Sequence, residues 1–351
     1  MSDRAEANAG AEAVRRALRR LLHGEVLDDG AVAEVMEALL AGELSPVLVG
    51  AFATALAARG ESARELAVAA RVVRSHGRSI DFGDGPLIDT CGTGGDGAST
   101  FNISTVAAIV AAGAGARIAK HGNRAVTSRS GSADVLEALG IRLDVSEDVQ
   151  RRCVDDAGIA FFFAPNHHQA LRHAAAVRRE LGVRTFFNLL GPLVNPAGAT
   201  HQLMGVYDRK YVRACAEVLS HLGVAGAWVV HHESGLDEIG TVGRSFVARL
   251  SAGGVEEAVV GPEDFGLEPQ PIASLAGGDA KTNAAIAMRI LEGERRGKDA
   301  GPRAAVVLNA AAALLAGGLA SEPEAAATLA ADSIDEGRAM ARLTRWRELT
   351  Q

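Results

Sequence analysis

The sequence predicts a small N-terminal helical domain followed by a larger α/β domain, with a central, mostly parallel sheet flanked by helices. Three observations predict it. Apolar residues recur at helical spacing up to about residue 75, short apolar runs alternate with longer helical ones from Pro86 onward, and a polar, glycine-bearing stretch from Gly77 to Gly85 separates the two textures. The expected boundaries are residues 1–76 for the helical domain and 77–351 for the α/β domain.

In the first domain the spacing predicts helices over Val14–Leu22, Val32–Leu40, Val47–Leu56 and Leu66–Val73. Ser45-Pro46 offers an N-cap with proline at the first helical position, and Ser62 to Glu65 has capping-box spacing. In the second domain the order is a strand at Leu87-Ile88, a glycine loop, a helix near Thr105–Ala114, a strand at Ile118-Ala119, a polar loop and a helix near Ala133–Leu139. Strands are expected at Ile159–Phe163, Gln202–Val206, Trp228–His231 and Phe246–Leu250. The tail reads as helices over Thr282–Leu291, Ala304–Leu315 and Pro323–Trp346, the last carrying a capping-box pattern at Ser333 to Glu336.

Composition excludes several functions. Hydrophobic residues make up 48% and charged residues 23% of 351, which fits a globular protein with a large core. A formal net charge of −7 argues against a dedicated nucleic-acid binder. Three cysteines, Cys91, Cys153 and Cys215, have no metal-type spacing and fit a reducing cytoplasm better than a disulfide framework. No apolar leader opens the chain and no long apolar run occurs, so neither secretion nor a membrane is expected. Of 36 basic residues only four are lysines, against a background of 68 alanines and 40 glycines. Each retained lysine therefore draws scrutiny.

Gly92 to Gly97 matches G-x-G-x-x-G after a strand, the pattern of a dinucleotide site. Such a site also wants an acidic residue about 20 positions later for the ribose hydroxyls. Here no Asp or Glu occurs from Gly97 through Ala133, a gap with a chance of about one in a hundred on composition alone. The same window holds Arg117, Lys120, His121, Arg124 and Arg129 with many hydroxyls. A loop rich in N–H groups, a helix N-terminus near Ser104 and these cations converge on a polyanion rather than on NAD. A P-loop is also excluded, since G-x-x-x-x-G-K-[ST] is absent. Lys120, at a strand end, is placed to act on phosphates as a point charge.

Asp237-Glu238 follows the strand Trp228–His231, and adjacent carboxylates beside a polyphosphate site suit Mg²⁺. The pairs His167-His168 and His231-His232 lack metal-ligand spacing and read as ordinary structural histidines.

Taken together, these residues resemble the anthranilate phosphoribosyltransferase family over nearly the whole chain. The strings are Asp89-Thr90-Cys91 leading into Gly92–Gly97, Phe101 to Thr105, Lys120 to Arg124, Ser130 to Asp134, Phe187 to Leu193 and Leu236 to Glu238. The resemblance implies transfer of a phosphoribosyl group from 5-phosphoribosyl 1-diphosphate to the amine of anthranilate in tryptophan biosynthesis, with Mg²⁺, in a homodimer formed through the helices. It also implies that helical segments from about 168–184 pack on the N-terminal domain. The diphosphate substrate would be held by Gly92, Gly95, Asp96, Thr100, Asn102, Ile103, Ser104, Thr105, Lys120, His121, Gly122, Asn123, Arg124, Ala125, Val126, Thr127, Ser128 and Ser132. The metal would fall to Ser104, Asp237 and Glu238, and anthranilate to Gly92, Asn123 and Arg178. Catalysis would rest on Lys120, Asp96 and Arg178. Gln169 and Ala176 stand where the family usually has proline.

Two alternatives have distinct signatures. A pyrimidine nucleoside phosphorylase would join its cation to the glycine loop in a Lys-His-Ser-Thr-Gly-Gly string, whereas here Lys120-His121 follows the loop in a separate one. A non-catalytic, nucleic-acid-binding relative of the same fold would have no need of Asp237-Glu238 or of an acidic surface.

Overall fold

The computed structural model describes residues 2–77, 80–95, 97–125, 129–294, 297 and 300–351, with side chains in the first helix from Ala9 onward. The chain forms two compact units, one of residues 1–79 and 164–196, the other of residues 80–163 and 197–351.

The helical unit begins with α1 (Ser2–Leu22), α2 (Asp29–Leu40), α3 (Pro46–Arg59) and α4 (Ala63–Ser75). Two of its helix starts follow the sequence signals. Ser45 accepts the Leu48 N–H ahead of Pro46, and the Ser62–Glu65 capping box closes in both directions; α2 has a cap that was not expected, Asp28, which accepts the Ala31 N–H at 3.0 Å. Glu65 is 2% exposed, so its charge needs more than a cap. Burial pushes its carboxyl up, but the paired Arg59 guanidinium and the Leu27 N–H at 2.9 Å outweigh that and hold it below the usual range. Removing one partner of such a buried pair costs about 3–5 kcal/mol.

The second unit starts with β1 (Ile88–Thr90), α5 (Ile103–Gly113), β2 (Ile118–Gly122), α6 (Ser132–Ala138), α7 (Glu147–Arg152) and β3 (Ile159–Phe163). The chain then returns to the helical unit for α8 (Ala164–His167), α9 (Arg172–Leu181) and α10 (Phe186–Leu193). There Val177 of α9 packs near Gly50 of α3, and the Phe186 ring meets Phe52 edge-on at 5.7 Å. The remainder runs β4 (His201–Gly205), α11 (Tyr211–His221), β5 (Gly226–His232), β6 (Ser245–Ser251), β7 (Gly254–Val260), α12 (Ala280–Leu291), α13 (Ala300–Ala316), α14 (Pro323–Asp335) and α15 (Arg338–Thr350).

Among the described residues seven strands form one sheet, ordered β3-β2-β1-β4-β5-β6-β7. The pairings from β3 across to β5 are parallel, and β6 and β7 are added antiparallel. Strands β1, β2 and β3 step outward in one direction and β4 begins on the other side of β1, so the order reverses between β1 and β4. In open α/β sheets that reversal opens a crevice at the carboxyl ends of the strands.

The tail departs from expectation in two ways. In the stretch expected to be helical over Pro323–Trp346, the last helix starts after Gly337, at φ 73°, and not at Ser333. Ser333, expected to cap it, lies buried inside α14 and donates its hydroxyl to the Val110 carbonyl at 2.8 Å. The capping box fails because this serine is recruited to the contact with α5. A Cβ on Gly113 would sit 2.2 Å from the Ser333 Oγ, so the two helices meet at a glycine. Strand β7 was not expected. It is an edge strand with exposed Glu256 and Glu257, which erase the apolar signal and blunt the edge against further pairing. No helix among the described residues is long and apolar enough to cross a membrane.

Candidate active site

The loops after β1, β2, β4 and β5 line the crevice. From Cys91 the chain runs as a loop to the start of α5, turning through Gly94, Gly95 and Gly97 at φ 61°, 71° and 76°. Only glycine adopts this region without penalty. Ser99, at φ 53°, is the one described non-glycine residue with positive φ. The segment before α12 holds the strained stretch: Gly277 N–H donates to the Ser99 carbonyl at 2.9 Å and Phe101 N–H to that of Leu275 at 3.0 Å.

Asp237 and Glu238, after β5, clamp this loop at two points. Asp237 Oδ2 accepts the Gly94 N–H at 2.7 Å, and Glu238 Oε1 accepts the Ser104 N–H at 3.1 Å, in the first turn of α5. The approach is close enough to demand glycines. A Cβ on Gly92 would lie 2.6 Å from Asp237 Oδ2, and one on Gly205, at the end of β4, 1.6 Å from the Asp237 carbonyl oxygen.

Under the loop, Lys120 of β2 is 2% exposed. Its ammonium donates to the Thr90 carbonyl and, at 3.3 Å, to the Ser104 hydroxyl. The cation thus sits beneath the glycine loop and the helix N-terminus, adding its field to theirs. The neighbouring His121 N–H donates to Asp89 Oδ1 at 3.0 Å. Asp89, Cys91 and His121 bring ligand-type atoms within 4.8 Å of one another. Burial and then the Asp89 charge push the Cys91 thiol well above its ordinary value, which disfavours the thiolate.

The second loop, after β2, is organised by Asp134. Its Oδ2 accepts the N–H groups of Ala125 at 3.1 Å and Gly131 at 2.8 Å, and Oδ1 takes Arg124 Nη1 at 3.1 Å. Burial opposes ionisation, but these donors outweigh it and hold the carboxyl below its usual range. Arg124 also forks onto Glu137 at 2.6 and 2.8 Å. Asn123 is fixed by its carbonyl, which accepts from Ser132 Oγ and the Ala133 N–H, both at 3.3 Å.

Comparison with known proteins decides the family. Residues 15–77 match the "Glycosyl transferase family, helical bundle domain" and residues 84–340 the "Glycosyl transferase family, a/b domain". An anthranilate phosphoribosyltransferase from Anaeromyxobacter dehalogenans (strain 2CP-C) is 50% identical over 330 residues, covering 94% of this chain and 96% of its own. The chain belongs to the anthranilate phosphoribosyltransferase family. The crystal structure of the enzyme from Thermus thermophilus superposes with a TM-score of 0.89 at 42% identity, covering 95% of this chain and 99% of that one. The Saccharomyces cerevisiae enzyme in complex with PRPP and Mg gives 0.88 at 27% identity, covering 96% and 97%.

Of the residues expected at the site, Gly92, Gly95, Thr100, Asn102, Ile103, Ser104, Thr105, Lys120, His121, Gly122, Asn123, Arg124, Ala125, Ser132, Asp237 and Glu238 all lie in the second unit. Asp96, Val126, Thr127 and Ser128 lie outside the described residues. Arg178 belongs to the helical unit, in the last turn of α9, where its guanidinium lies 5.4 Å from the centre of the Phe187 ring and burial lowers its pKa. Ala176 lies inside α9, where proline would remove a helical N–H, and Gln169 opens the 3₁₀ turn before it.

The histidine pairs take structural places. His231 Nδ1 lies 2.8 Å from the Val206 carbonyl, and His232 engages Ser234 and the Val242 carbonyl, each at 2.7 Å. Burial drives His168 down to about 4, so it is neutral at physiological pH. Mg²⁺ prefers hard oxygen donors, which the Asp237 and Glu238 carboxylates and the Ser104 hydroxyl supply, whereas the group of Asp89, Cys91 and His121 sets one carboxylate beside a sulfur and a nitrogen. The donor chemistry therefore fits the ion at Asp237-Glu238.

Four contributors carry no mark in the sequence: Gly205, Asn283, Glu137 and the Leu275–Gly278 segment. Asp134, the first acid beyond the acid-free window, gathers with its carboxylate the loop that the window encodes.

Proposed function

We propose that this chain transfers the 5-phosphoribosyl group of 5-phosphoribosyl 1-diphosphate to the amine of anthranilate, giving N-(5-phosphoribosyl)anthranilate and diphosphate. The observation that carries this is the clamp of Asp237-Glu238 on the glycine loop and the α5 N-terminus, above a buried lysine.

The amine of an aromatic ring is a weak nucleophile, so the reaction leans on departure of the leaving group. As the C1–O bond to diphosphate breaks, positive charge grows on the ribose and negative charge on the diphosphate. The N–C bond then forms on the opposite face, and the nitrogen gives up a proton. Loop N–H groups, the α5 N-terminus and Lys120 stabilise the departing diphosphate by fixed dipoles and charge. Mg²⁺ held by Ser104, Asp237 and Glu238 would neutralise diphosphate charge. Asp96 and the stretch through Ser128 complete the diphosphate contacts in this reading. Arg178 pairs with the acceptor's carboxylate, a fork that fixes the amine's direction.

The test mixes purified protein with anthranilate, phosphoribosyl diphosphate and Mg²⁺ and follows the loss of anthranilate fluorescence. Turnover is expected, and folded protein with no turnover would overturn the reading. In the same assay Arg178→Ala is expected to raise the anthranilate KM by about 10- to 100-fold, the loss of a charge-assisted hydrogen bond, with the phosphoribosyl diphosphate KM unchanged. Equal KM values for parent and variant would remove Arg178 from the acceptor site.

The partners are small molecules, and the reaction involves neither nucleic acid nor a membrane. Exposed Leu22, Val26, Val47 and Val183 on the helical unit support a homodimer through the helices, and a monomer mass in sedimentation equilibrium would contradict it. Three free cysteines fit a cytoplasmic protein, and a disulfide in protein isolated under thiol-blocking conditions would contradict that.

A further inference from the structure

Asn283 lies in α12, far along the chain from the glycine loop, and is 2% exposed. A buried amide must be hydrogen-bonded, and each end of this one is. Its Nδ2 donates to Asn102 Oδ1 at 2.8 Å, and its Oδ1 accepts the Gly278 N–H at 2.7 Å. Asn102, the residue before α5, makes no side-chain cap to its own helix. Its Nδ2 donates instead to the Ser130 carbonyl at 3.2 Å. The three bonds form one directed chain from Gly278 through Asn283 and Asn102 to Ser130. Because the first N–H donates to Asn283 Oδ1, the amide orientations along the chain are fixed in turn: donor must face acceptor at each step.

The chain connects the two loops that hold the diphosphate site. Asn102 ends the glycine loop and Ser130 ends the loop after β2, so the buried amide of Asn283 ties the segment before α12 to both. The backbone supports the same wall. Gly277 approaches so closely that a Cβ would lie 2.5 Å from the Phe101 nitrogen, and Thr100 bridges to Ala276.

We propose that Asn283 is a positioning residue for phosphoribosyl diphosphate, acting through Asn102 to set the distance between the two phosphate-binding loops. This rests on the assignment of those loops to that substrate. Asn283→Asp keeps the shape and the acceptor for Gly278 but turns the donor toward Asn102 into a second acceptor. The phosphoribosyl diphosphate KM is expected to rise about tenfold, the loss of one buried hydrogen bond, while the anthranilate KM stays near its parental value; the buried carboxylate lowers the melting temperature, so the kinetics are read well below the transition. Asn283→Ser, whose hydroxyl ends short of Asn102 and buries no charge, is expected to do the same and guards against misfolding of the aspartate variant.

A purely structural role would predict a lower melting temperature and a falling kcat, with both KM values unchanged. That pattern, or parental KM in both variants, would overturn the proposal. A double variant with Asn102→Ala is expected to be no worse for that KM than Asn102→Ala alone, and additive losses would show that Asn283 does not act through Asn102. If Lys120 and Asn102 variants also left this KM unchanged, the loop assignment itself would fall; if only the Asn283 variants did, the positioning role alone would.

Discussion

Lys120→Ala is expected to lower kcat/KM for phosphoribosyl diphosphate by about 100- to 1,000-fold, the usual loss when one fixed donor aimed at developing charge is removed. The lysine is 2% exposed and beneath the loop, so its ammonium is unscreened by solvent and acts through a protein interior where charge is strongly felt. It also holds the Thr90 carbonyl and the Ser104 hydroxyl, joining the end of β1 to the start of α5. Alanine removes both the field and the tie. Arginine is not expected to rescue it, because a planar fork cannot occupy a cradle built for a compact point charge. Fluorescence kinetics with each substrate varied separately checks the claim. A folded Lys120→Ala protein within about twofold of the parent would show that the charge is structural only.

This lysine shows why part of the site was legible. Rarity singled it out and the acid-free window supplied the reason for a cation there, whereas the expected strand end was wrong: β2 runs on to Gly122, with Lys120 at its middle. Two helix starts were legible for a related reason: Ser45 and Ser62 act on N–H groups three residues away, so the contact is written locally. What failed to show was non-local. Asn283 lies 181 positions from its partner Asn102, and no neighbour in sequence marks it. Ser333 carried a valid local signal that a distant contact overrode, since α5 reaches it at Val110. The alanine and glycine background misled in a similar way. Ala107, Ala108, Ala111 and Ala112 are fully buried in α5, and Gly113 sits where any side chain would strike Ser333 and Ala339, so part of the apparent compositional bias is a close-packed helix contact.

Gly205→Ala is expected to have an effect at least as large on the metal-dependent step, from one methyl group. Gly205 has no positive φ, so backbone conformation does not require glycine there; space does. The added carbon would fall 1.6 Å from the Asp237 carbonyl oxygen and 2.6 Å from its carbon, both backbone atoms that no rotamer change can move. The Asp237-Glu238 segment must shift, and its hold on the Gly94 and Ser104 N–H groups goes with it. The same glycine accepts the Thr93 N–H through its carbonyl at 2.9 Å, so a shift of β4 instead would disturb the loop from the other side. Overpacking of this kind costs about 1–3 kcal/mol, within the margin of a typical domain, so a folded but impaired enzyme is expected. The signature is a rise in the Mg²⁺ concentration needed for half-maximal rate together with a fall in kcat/KM of about 100-fold or more. Gly253→Ala serves as the control, since its Cβ would meet nothing nearer than Ser251 Oγ at 3.7 Å in an exposed turn. Parental Mg²⁺ dependence in Gly205→Ala would mean that the Asp237 carboxylate does not depend on this close approach, and the metal would then have to be sought elsewhere in the crevice.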